Sequence, residues 1–425
     1  MRHAAAEYTG DEGEPQQMEQ SSTLTIGAPK EAFPGERRVA ITPTVIAGYA
    51  KAGFRVLVET GAGASAGFAD KAYTDRGAEI VTREVALSAD VLVVVRVLDG
   101  DPTSPDRERL RPGQVVIGMA APLAAPQVAA AVAERGVVLF ALELVPRTSR
   151  AQSMDVLSSQ ANIAGYKAVL LAAAQLPKMA PMLTTAAGTI APAKVFIIGA
   201  GVAGLSAIAT ARRLGAVVEA YDVRAAVKEE VQSLGARFVE LPLETGQEGS
   251  GSGAYATQLS DEQIAKQREL MAKTIAGADV VITTAQVQGA KAPVLVTKEM
   301  VAGMAPGSVI VDLAAEQGGN CEGSVAGETV DVGGVSIIGP TNVPGTVPHD
   351  ASLTYAKNIA NFVALIVADK ALHLDVDDVI VQETVTTHDG QIVHARVREA
   401  LGLAPLPAPP SEPSPPADAS QEAVT

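Results

Sequence analysis

Tryptophan is absent, and phenylalanine and tyrosine together make up only 3% of the 425 residues. The cores must therefore be built from Ala, Val, Ile and Leu, the composition of parallel α/β sheets faced by alanine-rich helices. Cysteine is nearly absent as well. A lone Cys321 excludes an internal disulfide framework and fits a reducing cytosol. The five histidines (His3, His349, His373, His388, His394) show neither HExxH spacing nor a second cysteine, which argues against a structural zinc site and leaves no metal ligands to nominate. Positive charge is in deficit: a net charge of −15 argues against nucleic-acid partners. Long apolar runs are missing too. The best stretch, 163–176, contains Lys167 and follows Asp155, Gln160 and Asn162, so it reads as a buried helix and not a membrane span. Residues 1–22 lack an apolar h-region and read as a disordered extension, not a signal peptide.

What is present is a hydrophobic content of 47%, enough for two or three substantial cores. Strand-like runs at 24–28, 54–58, 78–81, 91–97, 115–119 and 137–142 alternate with helical stretches such as 43–52 and 126–135. A long helical pattern over 154–175 leads to a second series of strands at 194–198, 217–222, 237–240, 280–284, 308–313 and 335–338. Alternation of this kind predicts two doubly wound, Rossmann-like parallel-sheet domains with a cleft between them. A helix over 352–372 is expected to cross back onto the first domain. The expected division is 1–22 disordered, 23–160 plus 350–400 as a discontinuous first domain, 161–349 as the nucleotide-binding domain and 401–425 as a disordered Pro-rich tail. Residues 241–267 are too rich in glycine to pack and read as a mobile loop. Runs at 379–385 and 391–397 around His388-Asp389-Gly390 signal a hairpin.

Within the second series, Val195-Phe-Ile-Ile-Gly199-Ala-Gly201-Val-Ala-Gly204 reads as strand, glycine turn and helix. Gly199 would make the tight turn, Gly201 would let backbone amides approach a pyrophosphate, and Gly204 would allow close packing of helix on strand. Asp222 ends the next strand, about 20 residues on, where a carboxylate meets the adenosine ribose diol. An ordinary αβ turn would lack this full order, so NAD(H) is the expected ligand. The acid favours NAD over NADP, although Arg224 nearby could accommodate a 2′-phosphate. Polar chemistry concentrates in 147–160, with a cation, an amide, an acid and a hydroxyl at Arg147, Gln152, Asp155 and Ser158, but no histidine. Two readings of that run stand open: a cleft-facing site, or a capped helix start with solvated polar residues.

Gly27-Ala-Pro-Lys-Glu, the 36–43 segment Glu-Arg-Arg-Val-Ala-Ile-Thr-Pro, the 147–160 run, Gly199 to Leu205, Tyr221-Asp-Val-Arg224, Gly289-Ala-Lys-Ala-Pro293 and 311–320 together resemble alanine dehydrogenase and the NAD(H)-binding part of proton-translocating transhydrogenase. The resemblance covers residues 24–400, and the segments 155–162 and 315–320 look like the transhydrogenase version. Alanine dehydrogenases carry a substrate histidine just past the strand at 115–119 and use a lysine with an arginine. Here that stretch reads Met119-Ala-Ala-Pro, Arg96 stands where the lysine is expected, and Arg38 is common to both cousins. One departure from the family is Ala285-Gln-Val-Gln288, where an apolar pair and a proline are usual. The resemblance implies that Arg147 and Gln152 hold the nicotinamide carboxamide and ribose, Asp155 orients Arg147 and the ring, and Ser158 contacts the nicotinamide end. Asp222 would take the adenosine ribose, with Val223 and Ala285 beside the nucleotide and Tyr255 closing from the mobile loop. It further implies a Re/Si-specific proton-translocating transhydrogenase component, with NADP(H) held on a partner subunit and a membrane-spanning partner. The expected form is a homodimer that is cytoplasmic, without membrane insertion of its own, and attached to the inner membrane through those chains. Direct hydride exchange between two nicotinamides needs no proton transfer at the reacting carbons, which fits the missing acid and base. The competing readings are an alanine dehydrogenase-like enzyme and a non-enzymatic NAD-binding regulatory module.

Overall fold

The computed structural model describes residues 23–240, 261–286, 289–375 and 377–406. Tyr255 and the centre of the glycine-rich segment lie outside them.

Six parallel strands open the first sheet: β1 (Thr25–Ala28), β2 (Arg55–Glu59), β3 (Glu79–Val81), β4 (Val91–Arg96), β5 (Val115–Met119) and β6 (Val138–Ala141). The second sheet has β7 (Lys194–Ile198), β8 (Val217–Tyr221), β9 (Arg237–Phe238), β10 (Val280–Thr283), β11 (Val309–Asp312), β12 (Thr329–Val332) and β13 (Val335–Ile338). The chain then returns to the first sheet with β14 (Val385–His388) and β15 (Gln391–Ile392). The orders are β15-β14-β6-β5-β4-β1-β2-β3 and β9-β8-β7-β10-β11-β13-β12. Each sheet is doubly wound outward from its first strand, so each has a switch point, between β1 and β4 and between β7 and β10, where neighbouring loops diverge and leave a crevice. The runs Val91-Leu-Val-Val-Val and Val-Phe-Ile-Ile at 195–198 are buried throughout, as strands covered on both faces must be.

Four helices matter for the site: α1 (Val156–Gln175), α2 (Val202–Arg213), α3 (Asp261–Ala276) and α4 (Pro348–Leu365). Helix α4 lies on the first sheet, where Tyr355, Ile359 and Phe362 join Val93, Ile117 and Phe140 in one core; the Phe140 and Phe362 rings meet edge-on at 5.1 Å. Helix α1 touches α2 where Gly165 approaches Ala203 so closely that a Cβ on Gly165 would stand 2.0 Å from the Ala203 carbonyl oxygen. Ser206 Oγ donates to the Asn162 carbonyl at 2.7 Å in the same crossing. The polar start of α1 is thereby indexed against the glycine-turn helix, about 10 Å along α1 from this contact at 1.5 Å per residue.

Several expected boundaries differ. Helix α3 begins at Asp261, so 261–267 belong to a helix and not to a loop. Helix α4 stops at Leu365, and 367–372 form a small hairpin through Asp369 and Lys370, both in the left-handed region. Residues Val379–Thr384 are helical, not extended: Asp378 caps the Ile380 N–H at 2.8 Å, and Ile380, Val381 and Thr384 bury one face. A cap plus a helical apolar face there outweighs the β-propensity of Val-Ile-Val. The hairpin survives only as β14 and β15 around Asp389 and Gly390, and residues from Ala395 to Ala400 form another helix. The antiparallel edge strand β12 has no expected counterpart. Among the described residues no helix is long and apolar enough to cross a membrane.

Candidate functional site

At the second switch point the three glycines of the turn divide by cause. Gly199 has φ +99°, and a Cβ there would stand 2.5 Å from Thr284 Oγ1. A Cβ on Gly204 would stand 1.9 Å from the Gly199 carbonyl oxygen. Both are thus required by the fold itself. Gly201 is not: its φ of −76° suits any residue, and a Cβ there would meet nothing within 4 Å. Its bareness leaves open space at the N-terminus of α2, the shape and polarity that a pyrophosphate needs.

The strand after α2 delivers Asp222, whose Oδ2 accepts from the Ala200 backbone N–H at 2.8 Å, binding the turn to the end of β8. Its remaining places are taken by Arg224, through the backbone N–H and the guanidinium. Burial works to raise this carboxyl, and the bonds from Arg224 and Ala200 outweigh it, holding it below the usual carboxylate range. The expectation that Asp222 stands ready for a ribose is corrected here, because a neighbouring cation already occupies it. Beside it, Val223 is 60% exposed, an apolar side chain bared at the rim.

Opposite the glycine turn, Ala285 follows β10 and is half-buried. Its N–H and carbonyl are both held by the side-chain amide of Asn320, at 3.0 and 2.9 Å, and the same amide donates to the Pro293 carbonyl at 2.8 Å. Asn320 is fixed by the buried Asp312 carboxylate, which accepts from the N–H groups of Asn320, Cys321 and Ala314 and from Thr283 Oγ1. Sequence reasoning counted 311–320 only as a family resemblance. The signal for its role was an acid at a strand end followed by Gly-Gly-Asn: Gly318 and Gly319 both adopt positive φ and turn the chain back onto that acid.

The polar run forms the start of α1. Asp155 is its N-cap: Oδ1 accepts from the Ser158 N–H at 2.9 Å and Oδ2 from Ser158 Oγ at 2.6 Å. Gln152 is exposed on the preceding 3-10 turn, and Arg147 is exposed on the loop before it. Asp155 and Ser158 are therefore brought together, whereas Asp155 holds the helix start and not Arg147. A carboxylate spent on a cap is the capped-helix alternative realised, and it leaves Arg147 and Gln152 projecting from a firmly anchored end.

The first switch point is filled by the chain's own charges. Arg38, 3% exposed, donates to Glu36 through Nε at 2.8 Å and Nη2 at 2.7 Å, to Gln160 Oε1 at 2.8 Å and to Asn342 Oδ1 at 3.1 Å. Glu36 also receives Asn342 Nδ2 at 3.1 Å and Arg96 Nε at 3.4 Å, and Arg96 lies 4.1 Å over the Phe33 ring. This cluster joins the first sheet, α1 and the segment after β13, tying both sheets together. At the loop after β5, Ala121 has φ +46°, and the N–H groups of Ala120 and Ala121 donate to Glu143. No histidine stands there. His349, for example, stacks on Phe68 and bonds the Ala66 carbonyl. Among the described residues no group of three or more His, Cys, Asp or Glu is gathered for a metal ion.

Comparison with known proteins follows this geometry. Alanine dehydrogenase/PNT, N-terminal domain matches residues 27–164, and alanine dehydrogenase/PNT, C-terminal domain matches residues 168–395. An NAD(P) transhydrogenase subunit alpha protein of Rhodospirillum rubrum is 46% identical over 376 residues, 87% of this chain and 98% of that protein. The alanine dehydrogenase of Bacillus subtilis is 30% identical over 395 residues, 91% of this chain and 97% of that protein. The solved transhydrogenase from Sinorhizobium meliloti superposes with a TM-score of 0.79 at 46% identity, covering 87% of this chain and all of that one.

Proposed function

The chain belongs to the alanine dehydrogenase/PNT family, and from that premise we propose that it is the NAD(H)-binding component of a proton-translocating transhydrogenase, passing hydride directly between NADH and an NADP⁺ held on a partner domain. One observation carries the nucleotide assignment: Gly201 is bare at a helix N-terminus although nothing in the protein requires it to be. Gly199 and Gly204 shape the turn, Asp222 takes the adenosine ribose, and Val223 and Ala285 flank the nucleotide. Tyr255 is assigned to cover the site, from a segment outside the described residues.

The reaction converts NADH and NADP⁺ into NAD⁺ and NADPH by moving one hydride, and no proton need be exchanged at either reacting carbon. Arg147 and Gln152 are assigned to the nicotinamide carboxamide and ribose, with Asp155 and Ser158 fixing the helix end from which they act. The absence of histidine from the loop after β5 supports this reading over an alanine dehydrogenase-like one, as does the difference between 46% and 30% identity. The name of the Rhodospirillum protein, an alpha subunit, supports NADP(H)-binding and membrane-spanning partner chains. Met182, Leu183 and Ile190 stand exposed on and beside the 183–190 hairpin, apolar surface that a second copy would cover in a homodimer.

Substitutions at the polar run separate placement from binding. Arg147→Ala, Gln152→Asn and Asp155→Asn should slow single-turnover hydride transfer to a partner-bound NADP analogue by about tenfold or more. Their NADH dissociation constants should change by less than about threefold, because the pyrophosphate and adenosine ends supply most of the affinity. Normal transfer rates with collapsed affinity would reassign these residues as structural anchors. The chain alone should show no alanine-dependent formation of NADH, checked by pyruvate analysis; robust turnover would establish the alanine dehydrogenase reading instead.

A further inference from the structure

Resting on the NAD(H) reading, a further role emerges from the donors at Asp222. An ionised carboxylate offers about four lone-pair directions, and all four are used. Oδ1 accepts from the Arg224 backbone N–H at 2.9 Å and from Arg224 Nε at 3.0 Å; Oδ2 accepts from the Ala200 N–H at 2.8 Å and from Arg224 Nη2 at 3.0 Å. The two backbone donors come from the glycine turn and the strand end, so they fix the carboxylate whatever the side chains do. The other two come from one guanidinium fork. A ribose diol also presents two O–H donors, and the places left for them are those held by Nε and Nη2.

We infer that Arg224 is a displaceable plug of the ribose pocket, a specificity-determining residue that must leave Asp222 before a nucleotide diol can bind there. Exposure makes the exchange feasible: the Arg224 side chain is 51% exposed against 7% for Asp222, so water receives the guanidinium once it swings out. The Glu230 carboxylate, in the helix Lys228–Ser233, adds an attractive field on the outer side. Released, the cation remains within a side chain's length of the 2′ position. Asp222 would repel a 2′-phosphate and Arg224 would attract it, so the pair blunts the discrimination that Asp222 alone would impose. The plug thus weakens NADH binding and narrows the gap to NADPH at the same time, two effects that a purely structural ion pair would not link.

Titration of the full chain with NADH and NADPH tests this. Arg224→Gln keeps the backbone N–H to Asp222 and removes the fork. It should bind NADH about threefold to tenfold more tightly, the scale expected when a half-exposed ion pair no longer competes, and should bind NADPH several-fold more weakly. Unchanged or weaker NADH binding by Arg224→Gln overturns the plug. A second readout needs no variant affinity. In nitrogen-15 spectra of the wild-type chain, the Arg224 Nε–H signal, identified by its loss in Arg224→Gln, should shift and exchange faster with water on adding AMP. It should stay in place on adding 2′,3′-dideoxy-AMP, which has no diol. A signal that moves equally with both, or with neither, also overturns the inference. Should wild type bind neither NADH nor AMP, the NAD(H) reading itself fails, and that result is distinguishable from a failure of the plug alone.

Discussion

Gly201→Ala is expected to keep the fold and lose the nucleotide. Its extended backbone accepts alanine, and the added methyl points into space empty of protein atoms, so the stability cost is confined to a poorer helix N-cap, about 1 kcal/mol or less. NADH affinity should fall by about tenfold to a hundredfold, because the methyl holds the pyrophosphate away from charge-assisted N–H donors worth about 1.5–3 kcal/mol each. Gly204→Ala should behave oppositely. Its methyl would stand 1.9 Å from the Gly199 carbonyl oxygen, forcing α2 off the strand at a cost of about 1–3 kcal/mol or more. Thermal melting and NADH titration of the two variants check this contrast. A Gly201→Ala chain that bound NADH as wild type would remove the observation on which the nucleotide site rests.

The second large effect belongs to the cluster between the sheets. Glu36→Gln should destabilise the protein by about 3–5 kcal/mol, since it leaves the Arg38 guanidinium buried without its counter-ion. A Glu36→Gln, Arg38→Met double substitution should recover much of that loss, because the unpaired charge goes with it. The pH dependence has a definite sign. Burial would raise the Glu36 carboxyl, but the hydrogen bonds and charge of Arg38 outweigh it and hold it at about 2, against 4.5 for an ordinary glutamate. A folded value below the unfolded one gives stability that is fully present above about pH 4.5 and is lost as pH falls from there towards 2. Denaturant melts of wild type and Glu36→Gln at pH 7, 4 and 3 should therefore converge as the medium is acidified. Parallel curves at all three pH values would mean that Glu36 is not ionised in the fold.

The order of strands and helices, the glycine turn, the acid at the end of β8 and the kinship with the alanine dehydrogenase/PNT family were all legible in the chain, because each depends on neighbours close in sequence. A β-branched run, a glycine turn and an alanine-rich helix determine one another over about 30 residues. Where local signals competed the reading failed: Val-Ile-Val at 379–381 favours strand by propensity, yet Asp378 caps it as a helix. Long-range pairings were out of reach for the same reason. That Arg38 would find Gln160 and Asn342, or that Asn320 would hold both backbone groups of Ala285, depends on side chains far apart in the chain meeting only when two sheets and α1 close together. The Asp222–Arg224 fork shows the limit most sharply. Two residues apart in the sequence, the pair could be read as an acid for the ribose or as a cation for a phosphate. Only the folded turn, with Ala200 N–H on one oxygen and the guanidinium closing the rest, decided that each side chain first satisfies the other. Sequence determined which groups the site has; the tertiary structure decided which of them are already engaged, because a hydrogen bond depends on distance and direction that spacing along a chain does not specify.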